Sequence, residues 1–570
     1  MIIAMPISKK PNTTVANASG ALRRWVDGAV VYHIYPRSFQ DSNGDGIGDI
    51  PGVIARLDYL QELGVSGIWL SPFYPSPQAD FGYDVSDYCG VDSVYGTLAD
   101  FKQLVTEAHA RDIRIMIDLV PNHTSNEHPW FTTSSSSRDN PKADWYVWHD
   151  GIPSGDGRPA PPNNWRNVLT STSAWEWNDA RQQYYLHSFH RKQPDLNWDN
   201  PDVRAAIQGV IRFWLDLGVD GFRADAIYWL GKDPQLRNDM INPDYDPNTD
   251  PPYSELLHNN SYRHERVYDY LRDLSSVLEE PAYRESPRFM VLEAYPDSND
   301  PTAEYLEFYN QLDSQVVAPF NFGGIILPWK AADWRNYLRC FYAELRHITI
   351  DGVACFAFGN HDQPRLASRI SPSALRSCAL LQLTLPGMTF VYYGEEIGMK
   401  NGRIPSEASQ DPAAVASQLG TSSRDPARTP MQWSDKPHAG FSETGDAWLP
   451  IDSSYKHTNV AQQQGEFDSH LALYKQLCAL RKSTPALQDG RLDVLDTPYD
   501  GLLLYRLGHA AGDYLAAINF SDQPIPIDLT TYGATRLAAS TDPVAVKAAD
   551  LARLSGGLAP HEAVLCAVDD

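Results

Sequence analysis

Gly221-Phe222-Arg223-Ala224-Asp225-Ala226 decides how this chain is read. It follows Ile211-Arg212-Phe213-Trp214-Leu215-Asp216-Leu217-Gly218-Val219-Asp220, which is apolar at helical spacing. The two stretches together predict a helix, a glycine-containing turn and a short buried strand that ends on a carboxylate. Strand side chains alternate with period two, so Arg223 shares a face with Asp225 and favours its charged form. A lone Arg-x-Asp is more often a structural ion pair closing a strand than part of a site. Its company elsewhere in the chain tips the balance.

The same helix-then-strand rhythm runs in both directions from this point. Strands are expected at Val30 to Tyr35, Gly67 to Leu70, Arg114 to His123, the Asp225 segment, Phe289 to Glu293, Val316 to Phe322, Gly352 to Phe358 and Thr389 to Tyr393. Helical spacing separates them, as at 54–63, 101–110, 203–217, 264–278 and 375–383. Eight such units predict a (β/α)8 TIM barrel, whose chemistry lies at the C-terminal ends of the strands. Periodicity fails between Thr124 and Trp198, where Ser, Pro, Gly and Trp accumulate, so 124–198 reads as a subdomain inserted after strand three. After Pro485 short alternating strands such as 502–507, 514–520 and 563–568 predict a separate C-terminal antiparallel β domain, a β-sandwich over 485–570. The barrel then occupies 25–123 and 199–484, behind a flexible lead at 1–24.

Composition narrows the partners. A formal charge of -25 gives nothing to phosphate neutralisation, which argues against nucleic acid and anionic membranes and for a small neutral substrate. With 15 Trp and 30 Tyr, aromatic faces are plentiful for stacking on sugar rings. The six cysteines (Cys89, Cys340, Cys355, Cys378, Cys478, Cys566) show no C-x-x-C spacing and read as reduced, buried small hydrophobes. No signal peptide or membrane span is evident, so a cytoplasmic protein is expected, monomeric or homodimeric.

Three carboxylates, Asp225, Glu293 and Asp362, fall at the ends of strands four, five and seven, where barrel geometry brings them to one cleft. Paired carboxylates suit glycoside cleavage, one attacking the anomeric carbon and the other, its pKa raised by desolvation, protonating the leaving oxygen. Glu293, after Val-Leu in an apolar strand, suits the acid. His123 and His361 stand at strand ends as potential holders of sugar hydroxyls. Separately, Asp41-Ser42-Asn43-Gly44-Asp45-Gly46-Ile47-Gly48-Asp49 spaces oxygen ligands as a hard cation requires. A structural Ca2+ or Mg2+ is expected on Asp41, Asn43, Asp45, Ile47 and Asp49, a metal-free Asx-turn loop being the alternative; no organic cofactor is expected.

Asp118-Leu119-Val120-Pro121-Asn122-His123, Gly221 to Asp225, Val291-Leu292-Glu293-Ala294 and Phe358-Gly359-Asn360-His361-Asp362 together resemble the four ordered motifs of the α-amylase superfamily of glycoside hydrolases, family 13. Gln193-Pro194-Asp195-Leu196-Asn197 is similar to the signature of its bacterial α-glucosidase and oligo-1,6-glucosidase branch, and the likeness covers residues 25 to 570. The resemblance implies Asp225 as nucleophile, Glu293 as general acid/base and Asp362 as a grip on ring hydroxyls, with His123, Arg223 and His361 around the same ring. It also implies that Asp80 and Arg428 seal the pocket behind a terminal glucose on which Tyr83 stacks, which enforces exo action. Ala226 stands where relatives that cleave α-1,6 links resemble Val, so α-1,4 maltose-like substrates are expected. Retention through a covalent glucosyl-enzyme is implied, with transglucosylation. The alternatives are an oligo-1,6-glucosidase or a sucrose-converting enzyme or glucosyltransferase; the superfamily's non-catalytic binding modules lack these carboxylates.

Overall fold

The computed structural model describes residues 25–568 apart from 156, 298–299, 350–351, 413–422, 445 and 544–553. The expected lead, 1–24, lies outside the described residues. Eight parallel strands, numbered here β1 to β8, close into a barrel in chain order: Val30–Ile34, Gly67–Leu70, Arg114–Leu119, Gly221–Ala224, Phe289–Leu292, Val317–Asn321, Cys355–Ala357 and Met388–Tyr392. Closure comes where β8 pairs back on β1, with Val30 opposite Thr389. Every residue of these strands except Arg114 is buried, which is why they read as continuous apolar runs instead of alternating ones.

The stretch around Asp225 folds as its pattern predicts. Helix Pro201–Asp216 starts on the Asn200 side chain, which accepts the Asp202 amide hydrogen, and buries Val203, Ile207, Val210, Ile211, Trp214 and Leu215. Each such side chain removed from water contributes about 1.5–3 kcal/mol, so packing of this stripe, more than helix propensity, holds the helix in place. Gly218, at φ +95°, turns the chain where a residue with a Cβ would be strained. Asp220 then pins the start of β4: its buried carboxylate meets His109 at 2.7 Å, Arg288 at 3.0 Å and Arg114 at 3.3 Å.

The stretch between β3 and β4 carries a sheet of its own. Its antiparallel sheet has the order Trp148–His149, Gln183–Leu186, Trp175–Asn178 and packs Trp165, Trp175, Tyr184 and Leu186 into a small core. The insertion returns to the barrel through bridges between His123 and Asp195 and between Tyr146 and Leu196.

The C-terminal domain corrects one expectation. Among the described residues it is a single five-stranded antiparallel sheet, ordered Arg491–Val494, Leu502–Gly508, Asp513–Asn519, Ala563–Val568, Ala534–Ser540, and not a sandwich of two sheets. Leu503, Tyr505, Leu507 and Ile518 face the barrel and join its core. Leu502, Leu504, Leu515 and Ala517 face away, covered by Ile525, Ile527, Leu529, Leu554 and Leu558. Irregular chain does the work of a second sheet. No disulfide links the six cysteines; four are buried, while Cys340 is exposed on helix Ala331–Ile348, contrary to the expected burial. Among the described residues no helix is long and apolar enough to cross a membrane.

Candidate active site

The upper interior of the barrel is polar. Register places Asp118 of β3 beside Arg223 of β4, and Arg223 beside Val291 of β5. The Arg223 guanidinium donates from Nη1 to Asp118 at 2.6 Å and to Asp225 at 2.5 Å, while Nη2 meets Glu293 at 2.6 Å. One cation thus serves three carboxylates. Burial alone would oppose its charge, but Asp118, Glu293 and Asp225 hold it firmly protonated. Trp69 donates its indole N–H to Asp118 at 3.0 Å and stacks on His33 at 3.6 Å between ring centroids, which fixes the floor.

Burial moves the proton equilibria of two of these acids. Burial raises Asp118 to about 7, against the pull of Arg223. Burial likewise raises Asp225, with Arg223 opposing and Glu293 and Asp118 adding to the rise. Glu293 is oriented as an acceptor, taking Arg223 on one oxygen and the Ala226 amide at 2.9 Å on the other. Ala226 presents that amide because it adopts φ +50°, a left-handed turn between β4 and the 3-10 turn Ile227–Leu230.

The third carboxylate is held differently. Asp362 receives Arg428 at 2.9 Å and Arg424 at 3.4 Å, and His361 Nε2 lies 3.2 Å from its other oxygen. Burial works against its charge, but Arg428, Arg424 and Arg223 outweigh it and hold the carboxyl below its ordinary range. Burial, joined by these same arginines, keeps His361 neutral, and its Nε2 lies 2.7 Å from the Tyr83 hydroxyl. Burial lowers His123 to about 4, so it too is neutral, 3.1 Å from Gln193.

One pairing differs from expectation. Asp80 is bonded to Arg424 at 2.9 Å, and Arg428 binds Asp362 and the His361 carbonyl instead. Arg424 also holds Asp411 at 2.8 Å, tying the loop before residue 413 to the pocket. Both arginines stand in Ser423-Arg424-Asp425-Pro426-Ala427-Arg428, four residues apart, and spacing gives no means of choosing between them. Sequence reasoning also left Asp118 and Gln193 out of the candidate site residues. The signal for Asp118 was present, since it ends a strand next to that of Arg223.

These groups surround a cavity of about 410 Å3. Its lining includes the polar cluster of Asp80, Tyr83, His123, His361, Asp362 and Arg424, together with Asp225 and Glu293. Beyond Ala226 its wall is made by Phe189, Trp229, Tyr253 and Tyr262, together with Val168 and Leu169.

The 41–49 loop is held together by its own side chains and amides. Asp41 accepts amide hydrogens from Asn43, Gly44 and Gly46, Asn43 from Asp45, and Asp45 from Ile47. Asp49 accepts from Ser42 and caps helix Ile50–Ala55 through Gly52. These bonds shape the loop from within, and among the described residues no three acidic, His or Cys side chains are grouped to hold a metal ion. The loop as it stands is a run of Asx turns.

Known proteins with this architecture fit the site. The family model "Alpha amylase, catalytic domain" matches residues 33–490. An oligo-1,6-glucosidase of Parageobacillus thermoglucosidasius is 39% identical over 538 residues, covering 88% of this chain and 91% of that protein. An alpha-glucosidase of Apis mellifera is 37% identical, covering 88% and 86%. The crystal structure of the alpha-glucosyl transfer enzyme XgtA superposes with a TM-score of 0.82 at 37% identity, over 96% of this chain and all of that one. With the barrel, the inserted subdomain and the four motifs in their places, the chain belongs to the alpha-amylase family of glycoside hydrolases, family 13.

Proposed function

We propose that this enzyme releases α-glucose from the non-reducing end of short α-1,4-linked glucosides, with retention, through a covalent glucosyl-enzyme. The observation that carries the reading is the single Arg223 guanidinium shared by Asp225 and Glu293. Two carboxylates on the terminal nitrogens of one fork are close neighbours, which supports direct attack by one of them, the geometry of retaining enzymes at about 5 Å. Asp225 attacks C1 as Glu293 protonates the departing oxygen; Glu293 then takes the proton of the incoming water. Asp362, charged between two arginines, accepts hydrogen bonds from ring hydroxyls, and the neutral His123 and His361 do the same without competing charge. The Asp80–Arg424 pair closes the far end, so only a terminal glucose fits. Ala226 is the support for α-1,4 preference, because its small side chain lines the wall next to the nucleophile.

Product release from equal concentrations of maltose, isomaltose and sucrose, followed over time, tests this. Glucose from maltose with little from isomaltose is expected. Dominant isomaltose cleavage would favour the second reading, an oligo-1,6-glucosidase, which the 39% identical relative of that name supports. Sucrose isomers without net glucose would favour a sucrose-converting enzyme.

Transfer to acceptors other than water belongs to the same proposal, as does a cytoplasmic address, which the absence of disulfides supports. A monomer or homodimer is part of the same proposal. A structural Ca2+ or Mg2+ in the 41–49 loop is proposed on oxygen spacing alone; a melting midpoint that EDTA leaves unchanged would remove it.

A further inference from the structure

We propose that a second cavity, formed where the inserted stretch meets the chain that follows β4, is a binding site for a small neutral sugar, a monosaccharide of the size of glucose. None of the residues lining it lines the catalytic cavity. Nothing in it depends on which bond the catalytic cavity cleaves.

The second cavity has a volume of about 350 Å3, which falls in the range of small-molecule sites, about 300–1,000 Å3. Asp144, Trp148 and Arg181 reach it from the insertion, and Leu230 and Leu236 from the chain after β4. The 3-10 turn Ile227–Leu230 is thus a partition, with Tyr228 and Trp229 lining the catalytic cavity and Leu230 the second one. With three residues per turn, consecutive side chains diverge by about 120°, enough to send neighbours to different cavities.

Arg181 sets the chemistry of this cavity. It is only 8% exposed, and its guanidinium lies 4.4 Å from the centre of the Trp148 ring. Nε donates to Gln183 at 2.6 Å, and Nη1 to the Ser134 and Ser137 carbonyls at 2.5 Å and 3.1 Å. Among the described residues Nη2 makes no hydrogen bond and no carboxylate forms an ion pair with this arginine. Burial, with Arg138 adding to it, lowers its pKa to about 10, so the charge remains. Two carboxylates on the same lining have oxygens to spare. Among the described residues the exposed Asp144 side chain accepts no hydrogen bond, and Asp199 holds Tyr270 at 2.7 Å and Arg266 on Oδ1, leaving Oδ2 open. Lys232 and Asp233 also line the cavity, but they are spent on Asp195 and Arg237. An open donor facing open acceptors calls for groups that both give and take hydrogen bonds, as hydroxyls do. A cation would meet Arg181, and an anion would meet Asp144 and Asp199. A neutral polyhydroxyl ring avoids both repulsions, and Leu230, Pro234 and Leu236 offer apolar surface to its C–H face.

The test is equilibrium dialysis of the full chain against labelled D-glucose, counting glucose bound per chain over a range of concentrations. The wild type should hold one glucose more per chain than Ala143→Trp, which fills the cavity. Asp144→Ala should weaken that extra site about tenfold or more, the cost of losing hydrogen bonds to a charged group. Because Asp144 is exposed and lies outside the catalytic cavity, this variant should fold and should release glucose from maltose as the wild type does. It decides the matter alone if the tryptophan variant folds poorly. The same count and affinity in the wild type and in every folded variant would overturn the proposal. No glucose from maltose in any form would instead overturn the glucosidase reading and leave the difference in binding standing.

Discussion

At the scale of single residues, the site works by distributing few positive charges among many carboxylates. Asp225 and Glu293 share Arg223, so their roles separate only when a substrate supplies C1 to one and a leaving oxygen to the other. Asp225→Asn keeps the shape but removes the nucleophile, and kcat on maltose should fall by at least about a thousandfold. Glu293→Gln should cost far more on maltose than on an aryl α-glucoside, whose leaving group departs without a proton; equal losses on the two would count against the acid assignment. Arg424 is the residue whose importance only the fold shows. It bridges Asp80, Asp362 and Asp411, so Arg424→Ala should raise KM for maltose roughly tenfold, the cost of losing charge-assisted bonds at the closed end. An unchanged KM would place the seal elsewhere.

At the scale of elements, the inserted subdomain has to be fastened to the barrel, because it supplies Gln193, Phe189 and the Val168–Leu169 wall. A buried ammonium is the fastener. Lys232, just after the turn that carries Trp229, meets Asp195 at 2.9 Å and Asn122 at 3.1 Å and donates to the Trp229 carbonyl. Asp195 also takes both the amide and the hydroxyl of Ser188 and faces His123 across the bridge that returns the insertion. Lys232→Met fills the space but leaves Asp195 buried without its cation, a change that costs about 3–5 kcal/mol in comparable sites. Urea unfolding measures the loss, and activity should fall with it because His123 is held by the same contacts. A stability within about 0.5 kcal/mol of wild type would show that the insertion docks by apolar packing alone.

At the scale of the whole molecule, the many buried acids and neutral histidines give stability a pH dependence of its own. Burial raises Glu395, at the end of β8, from 4.5 to about 7. A carboxyl raised on folding contributes most below its unfolded value, and that contribution drains away as pH climbs from about 4.5 through about 7. Burial lowers His470 to about 3, so its contribution is present above about 6.5 and lost as pH falls from there. Glu395→Gln should therefore gain on the wild type as pH rises, by up to about 3 kcal/mol near pH 8 relative to pH 4 in urea unfolding. A gap that does not widen with pH would contradict the raised carboxyl. The barrel itself was legible because eight buried parallel strands must be apolar along their whole length, and Gly218 and Asp225 mark the ends of the fourth. That Asp225, Glu293 and Asp362 line one cavity was legible for the same reason, a carboxylate following an apolar strand being an expensive placement. Two features were decided only by tertiary packing: which of Arg424 and Arg428 meets Asp80, and whether one sheet or two closes the C-terminal domain. Strand pattern records the burial of each residue, whereas the partner of a charged side chain depends on loops that meet across hundreds of residues, and a periodicity of two or 3.6 carries no trace of that meeting.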